Sequence, residues 1–171
     1  GAKPGDFVNS IDSTNYGTEL YVINVHFKED FVLWRKRESG GGLIGTYGSQ
    51  SAALDHLAKE GLKAEDHEII QTQSHLLLRK DPETGELDKT PFLMDFASSK
   101  LRVSREWNTQ IGQLGGDRFS ALWKLSSLQT QNRAAQKFYN LNAENQGWVT
   151  EEDYEYAKEV YTKLNLSPTD S

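Results

Sequence analysis

The sequence predicts an α+β domain: a mainly antiparallel curved sheet, or a small open OB-like barrel, with about three helices. Several segments rich in β-branched and aromatic residues are separated by short polar turns, which favours antiparallel neighbours over crossover connections. Other segments carry apolar residues at helical spacing and follow potential capping residues. The 171 residues are enough for one well-cored domain and too few for two comfortable ones.

The first strands are predicted within the first 50 residues. Residues 1–18 are mostly turn formers and are expected to be an N-terminal loop or arm. The segments 20–27 and 31–37 are rich in β-branched and aromatic residues, and we interpret them as a hairpin that turns at 28–30. A short strand is expected at 43–47, after three consecutive glycines.

Two longer hairpins and two helices are predicted in the middle of the chain. Strand-like segments at 67–80 and 90–97 flank a polar turn, and 122–142 is interpreted as a second hairpin. Strand alternation assigns Trp123 to the core, and helical spacing assigns Trp107 to it.

The first two helices are predicted from their potential caps. Ser49 is expected to cap a helix that runs to about Glu60, and Ser98 or Ser99 to cap one over 100–114. Each of these helices is followed by glycine, which is typical of a helix end.

The last predicted helix, over 150–165, is acidic and is expected to pack on the core domain of residues 19–149, with 166–171 as a tail. Thr150 with Asp153 resembles a capping box in which Asp replaces Glu. This end of the chain therefore combines a well-defined helix start with concentrated negative charge.

The chain carries a formal net charge of −6 and has no cysteine. The lack of Cys excludes disulfides and thiolate chemistry and suits a cytoplasmic location. No apolar run approaches the ~20 residues of a membrane span, so no membrane contact is expected. Residues 151–171 hold six acidic residues and two lysines. The first 150 residues are therefore closer to electrical neutrality, and a local basic surface for nucleic acid is compatible with this charge distribution.

Signatures of catalysis and of cofactors are weak. The glycines at 40–42 lack the Lys-Ser/Thr that would hold phosphate and magnesium, and no GxSxG motif occurs. His67 and His75 would lie ~26 Å apart on one strand, too far to share a metal. Asp95, within an apolar strand segment, is a candidate catalytic carboxylate, but strand alternation favours an edge-strand or an outward-facing Asp. We therefore expect no catalytic residues, no metal and no cofactor.

Three stretches combine cationic side chains with aromatic or helix-start positions. Cations follow the backbone of single-stranded nucleic acid and aromatic faces stack on its bases, at ~1–3 kcal/mol per base. The free N–H groups of a helix start can add a phosphate contact. The candidate nucleic-acid-binding residues are Trp34, Arg35, Lys36, Arg37, Lys100, Arg102, Arg105, Lys124, Arg133, Lys137 and Tyr139.

The layout also resembles a known group of proteins. The order Pro4–Phe7, Val32–Trp34, Pro91–Met94, Ser98–Lys100 and Trp107–Asn108 is similar to that of small bacteriophage-encoded single-stranded-DNA-binding proteins of the OB type. The resemblance implies a role in DNA replication or recombination in the cytoplasm of an infected bacterium. Bacterial proteins of this type end in a disordered acidic tail with a terminal hydrophobic residue, whereas here the acidity lies in a predicted helix.

Two functions follow as hypotheses. The first is a non-catalytic, phage-encoded protein that binds single-stranded DNA and works with replication or host proteins. The alternative is a protein–protein interaction module, either a phage structural component or a factor that binds a host enzyme, with the acidic last helix as its docking surface. An enzymatic function is the third hypothesis. It is disfavoured because the sequence shows no pattern typical of a catalytic nucleophile, a set of metal ligands or a cofactor-binding loop.

Overall fold

The computed structural model describes residues 7–8, 14–131 and 137–165; the side chains at 8, 128–131, 137–140 and 165 lie outside that description. The strands in these ranges are β1 (Phe7–Val8), β2 (Asn15–Gly17), β3 (Glu19–Arg35), β4 (Leu43–Tyr47), β5 (His67–Arg79), β6 (Phe92–Ala97), β7 (Ala121–Gln131) and β8 (Lys137–Trp148). The α-helices are α1 (Gln50–Lys59), α2 (Leu101–Gly112) and α3 (Glu151–Asn165).

The six strands β3–β8 form one open antiparallel sheet with β3 at its centre. Its strand order is β6-β5-β3-β7-β8, and β4 pairs with β3 outside this path. One edge of β3 pairs with β5 from Val22 to Arg35. The other edge is shared: β7 pairs with residues 19–23 of β3 and β4 with residues 31–34. The architecture confirms the α+β class with a mainly antiparallel sheet and three helices in the described ranges, and it is consistent with an OB-like arrangement.

The predicted hairpin within residues 20–37 is wrong, because β3 runs without a turn for 17 residues. The charged residues at 28–30 are typical of a turn, but in the structure they pair with polar residues of β5. Lys28 also forms an ion pair with Asp30 at 3.4 Å. A strand can therefore carry this polar stretch because its neighbour offers matching polar groups.

The other predicted strand pairs are present. β5 and β6 pair from Thr72 to Leu77, and β7 and β8 form the second hairpin. In the segment expected to be an arm, β1 pairs with β2 in a small separate sheet. Phe7 and Tyr16 of this small sheet pack against the core.

The predicted helix caps are confirmed in one case and wrong in another. The Ser49 hydroxyl accepts a hydrogen bond from the Ala52 N–H at 3.1 Å, as expected for the cap of α1. The N-cap position of α2 is Lys100, so neither Ser98 nor Ser99 occupies it. Residues 98–100 form a 3-10 turn instead, and Ser98 adopts a left-handed φ of 53°. The backbone of this turn leads directly into α2, which leaves no capping position for a serine.

Two apolar clusters cover the two faces of the sheet. On one face α2 packs through Trp107 and Ile111 against Trp123 of β7. On the other face α3 packs through Ala157 against a cluster that includes Ile23 of β3, Leu78 of β5 and, partly buried, Leu122 of β7. Trp107 and Trp123 are fully buried, which confirms their assignment to the core. In the described residues no helix is both long enough and apolar enough to cross a membrane.

An ion pair joins α3 to the end of β5. The Asp153 N–H donates to the Thr150 hydroxyl at 3.2 Å, as the capping-box prediction requires. The Asp153 carboxylate, however, accepts from Lys80 Nζ at 2.6 Å, and both side chains are largely buried. Half of the capping box is therefore present, and its carboxylate fixes the helix to the sheet.

Candidate functional site

The first candidate basic cluster lies where β3 ends. Trp34 is 37% exposed. Its neighbours across the sheet are Glu68 of β5 and Leu43 of β4. An indole face is therefore available to solvent at this end of the sheet.

Strand alternation predicts that Trp34 and Lys36 share one face and that the two neighbouring arginines share the other. Strand alternation applies only as far as Arg35, because β3 ends there. Residues 37–39 form a 3-10 turn, so the prediction is wrong for Arg37. The two arginines are exposed and Lys36 is half-buried.

Carboxylates lie close to this cluster. Glu68 is the cross-strand partner of Trp34, and Glu38 follows Arg37 in the 3-10 turn. Asp66 accepts a hydrogen bond from the Ser39 hydroxyl at 3.0 Å, and its backbone carbonyl accepts from the N–H of Lys36. The basic cluster is therefore interleaved with negative charge, which weakens its attraction for a phosphate backbone.

The second cluster lies on α2 and at the turn before it. Arg102 is exposed and forms an ion pair with Glu106 at 3.0 Å. Arg105 donates to the side-chain carbonyl of Gln71 at 3.3 Å, on the sheet face that α2 covers. Lys100 is half-buried in the preceding turn.

The third cluster is divided between described and undescribed residues. Lys124 lies 3.1 Å from a carboxylate oxygen of Glu19 and 4.0 Å from one of Glu144. The hydrogen bond to Glu19 raises the pKa of Lys124 above its ordinary value. Arg133 lies outside the described residues. Lys137 and Tyr139 lie in β8, and their side chains are outside the description.

Two of the candidate basic side chains, Arg105 and Lys124, lie on opposite faces of the sheet. Arg105 lies on the α2 face of the sheet, where it contacts Gln71. Lys124 follows the buried Trp123 in β7 and so points to the opposite face. Arg105 and Lys124 therefore lie on opposite faces of the sheet, and the predicted nucleic-acid-binding residues as a set stay a prediction.

A second exposed tryptophan has acidic neighbours along the chain. Trp148, at the end of β8, is 69% exposed, more than any other large apolar side chain among the described residues. Glu151, Glu152 and Glu155 follow it in the first turns of α3 and are all exposed. We call these four residues the Trp148 patch.

Polar side chains are buried between α2 and the sheet. Asn24 of β3, His75 of β5 and Ser104 of α2 are fully buried. The amide nitrogen of Asn24 lies 2.8 Å from His75 Nδ1, and His75 Nε2 lies 2.7 Å from the hydroxyl oxygen of Ser104. Buried polar groups need such partners, because an unpaired one would lose its interaction with water.

These hydrogen bonds share one direction. Arg118 donates to Asn24 Oδ1 at 3.1 Å, so the amide nitrogen of Asn24 is left to donate to His75 Nδ1. His75 then carries its proton on Nε2 and donates to Ser104, whose hydroxyl donates to Gln73 Oε1 at 2.6 Å.

The chain of bonds ends at a carboxylate. Gln73 Nε2 donates to Glu29 Oε2 at 2.7 Å. Gln71 donates to the same oxygen at 2.7 Å. These two bonds hold the pKa of Glu29 below its ordinary value. The relay therefore runs from the guanidinium of Arg118 to the carboxylate of Glu29.

His75 is neutral in this relay. Burial lowers its pKa to about 3, and the charge of Arg118 acts in the same direction. Its ring stacks on Trp107 with centroids 4.8 Å apart and contacts Phe96 and Phe27 at 5.1 and 5.2 Å. The hydroxyl of Ser104 is enclosed beside it and is not presented to a substrate.

Arg118 also borders a cleft. Its second terminal nitrogen donates to Asn108 Oδ1 at 2.9 Å, and burial lowers its pKa. The cleft has a volume of about 220 Å³ and is lined by His26, Phe27, Asp117, Arg118, Phe119 and Tyr161. Among the described residues no group of three or more His, Asp or Glu side chains is arranged to hold a metal ion.

The relay and the cleft were not predicted from the sequence. A signal exists, since Asn24 interrupts the apolar run of residues 20–25 and His75 precedes three leucines. Such positions indicate buried polar groups that need partners. The partners themselves come from α2 and from residue 118, and a sequence pattern alone does not identify them.

These features define an α+β protein whose open sheet is covered by a helix on each face and whose surface carries two exposed tryptophans in different electrostatic surroundings. The chain belongs to the Pam3 phage gp34-like protein family, whose model matches residues 1–167. The predicted bacteriophage origin is therefore supported by the family. No curated protein and no solved structure gives a match.

Proposed function

We propose that this phage protein is a non-catalytic protein–protein interaction module that docks through the Trp148 patch onto a basic surface of another phage protein or of a host protein. The proposal is the alternative that the sequence raised, with Trp148 added to the acidic helix. It takes precedence because the basic residues needed for DNA are dispersed and partly paired with carboxylates.

The observation that carries the proposal is the exposure of Trp148, which three exposed glutamates follow within seven positions of the chain. A tryptophan that is 69% exposed leaves a large apolar surface in water. Tryptophan is enriched among the residues that contribute most to binding energy in interfaces. The glutamates supply the complementary field that steers a basic partner into place. The chemistry of the patch thus matches a basic surface with an apolar pocket.

Site-specific cross-linking tests this proposal. A photoreactive amino acid is placed at position 148 in phage-infected cells, with position 54 as a control because Leu54 is also exposed. We expect nuclease-resistant cross-links from position 148 to Lys- or Arg-rich peptides of one protein, and none of these from position 54. Cross-links that disappear with nuclease, or that are equal at the two positions, would contradict the proposal.

A second candidate function is binding of single-stranded DNA in replication or recombination. It is supported by the exposed indole of Trp34 beside Arg35 and Arg37. Binding would weaken with rising salt because each neutralised phosphate releases counterions. A tryptophan-fluorescence titration with poly-dT at two salt concentrations tests it. Loss of the response in Trp34→Ala but not in Trp148→Ala supports this candidate, and the absence of any response removes it.

A further inference from the structure

The cleft beside Arg118 contains a guanidinium group for which no ion pair is found among the described residues. Arg118 donates to the side-chain oxygens of Asn24 and Asn108, which are both neutral amides. Among the described residues no carboxylate lies within ion-pair distance of its guanidinium. A half-buried cation that forms no ion pair is unusual, because the loss of hydration is normally offset by a charged partner.

The guanidinium is held in place before any ligand arrives. Each terminal nitrogen uses one donor on an asparagine, which leaves three of the five N–H donors for other partners. Asn24 is itself fixed, since its amide nitrogen bonds to the buried His75. Arg118 therefore has a defined orientation, and a ligand would not have to immobilise a free side chain.

The other walls of the cleft are largely aromatic. The guanidinium carbon of Arg118 lies 5.6 Å from the ring centroid of Phe27. Phe119 and Tyr161 contact each other with ring centroids 5.5 Å apart. One carboxylate, that of Asp117, also lines the cleft, and it accepts a hydrogen bond from the Tyr154 hydroxyl at 2.5 Å. A second negative charge placed near Asp117 would be repelled, so a ligand with a single negative charge on the Arg118 side is favoured.

We propose that this cleft is a binding site for a carboxylate attached to an aromatic group, with the carboxylate on Arg118 and the aromatic group against Phe27, Phe119 and Tyr161. The planar guanidinium matches a planar carboxylate. A volume of about 220 Å³ is below the ~300–1,000 Å³ of pockets for drug-sized ligands and suits a fragment with one ring rather than a nucleotide. Two sources share this chemistry: a free small aromatic acid and a peptide that ends in an aromatic residue. The site does not depend on the Trp148 patch.

The proposal is tested by ¹H–¹⁵N chemical-shift titration of the full chain with phenylacetate and with a short peptide that ends in Phe with a free carboxylate. The neutral analogues phenylacetamide and the amidated peptide are the controls. We expect saturable shifts at residues 26, 27, 117–119 and 161, and binding at least about tenfold weaker for the neutral analogue. Binding of only one of the two acids identifies the source. If neither acid gives saturable shifts in the cleft, or if the amide binds equally well, the proposal is wrong.

Variants provide a second, independent test. Arg118→Gln should weaken the binding of whichever acid binds by at least about tenfold. Arg102→Gln should leave it unchanged, because Arg102 is exposed and does not line the cleft. Equal loss in both variants contradicts the proposal. Because Arg118 also supports Asn24, its variant must keep the wild-type pattern of amide shifts outside the cleft. If it does not, the comparison of acid with amide in the wild-type chain decides the question. Inorganic phosphate should not displace the acid, and displacement by phosphate would contradict a site built for a carboxylate.

Discussion

Two exposed tryptophans distinguish two regions of this protein. Trp34 lies at the end of β3 among cations that are interleaved with Glu38, Asp66 and Glu68. Trp148 lies before α3, and the next charged residues along the chain are all glutamate or aspartate up to Glu155. The first region is electrically mixed and the second is strongly negative.

The comparison shows that an exposed aromatic side chain does not by itself define a kind of ligand. Both indoles could stack on a base or fill a pocket in a protein. The neighbouring charges decide which partner approaches, because they set the sign and range of the field that a partner meets. We therefore expect the Trp148 patch to favour a basic protein surface over nucleic acid, and the mixed charges around Trp34 to favour neither strongly.

The largest effect is expected from removing the ion pair that fixes α3, and with it the Trp148 patch, to the sheet. Asp153→Ala leaves Lys80 with no partner in a largely buried position. We expect the free energy of unfolding to fall by about 3 kcal/mol in urea denaturation. Glu159→Gln, which removes an exposed pair with Lys163, should change it by less than about 0.5 kcal/mol. Equal effects of the two variants would show that the Lys80–Asp153 pair does not hold the helix.

A smaller effect is expected from acid acting on His75, which lies on the other face of the sheet. The pKa of His75 is about 3 in the folded protein and about 6.5 when unfolded. Below pH 6.5 the unfolded chain therefore binds a proton that the folded chain does not, and stability falls as the pH is lowered. Between pH 7 and 5 this group should cost about 2 kcal/mol.

His75→Gln provides the control for that acid effect. The variant should be less stable than the wild type at pH 7, because the relay loses its ring. Its stability should nevertheless fall less between pH 7 and 5, as measured by urea denaturation at each pH. A fall as steep as that of the wild type would mean that His75 is not the group responsible. Binding to the Trp148 patch should be compared above pH 6.5, because the protein loses stability at lower pH through His75.

The smallest effect is expected at Lys124. Its ammonium group is engaged by Glu19 and Glu144 on the α3 face of the sheet. Lys124→Met should change stability by less than about 1 kcal/mol. If single-stranded DNA binds at all, the salt dependence of poly-dT affinity should also stay the same, since an occupied cation releases few counterions. A clearly reduced salt dependence would place Lys124 on a DNA path.

Much of the fold could be predicted from the sequence because periodicity and caps are local signals. The Ser49 cap, the stripe that includes Trp107, and the burial of Trp123 all depend on residues close together in the chain. The continuous β3 could not be predicted in this way. Its charged residues at 28–30 look like a turn until the polar residues of β5 are placed beside them.

The candidate sites depend even more on residues far apart in the chain. Arg118 and Asn24 are separated by 94 positions, and their bond exists only because the turn before β7 packs against β3. The ion pair of Lys124 likewise depends on Glu19, more than 100 residues away. The sequence shows which chemical groups are present, and tertiary packing determines which of them are available.

The proposed docking surface is the Trp148 patch. Its most direct test is the affinity of the purified partner identified by cross-linking for the wild type, Trp148→Ala and Trp34→Ala, measured above pH 6.5. We predict at least about tenfold weaker binding for Trp148→Ala, as expected for a central aromatic contact, and less than about twofold change for Trp34→Ala. Unchanged affinity in Trp148→Ala together with a large loss in Trp34→Ala would contradict the account.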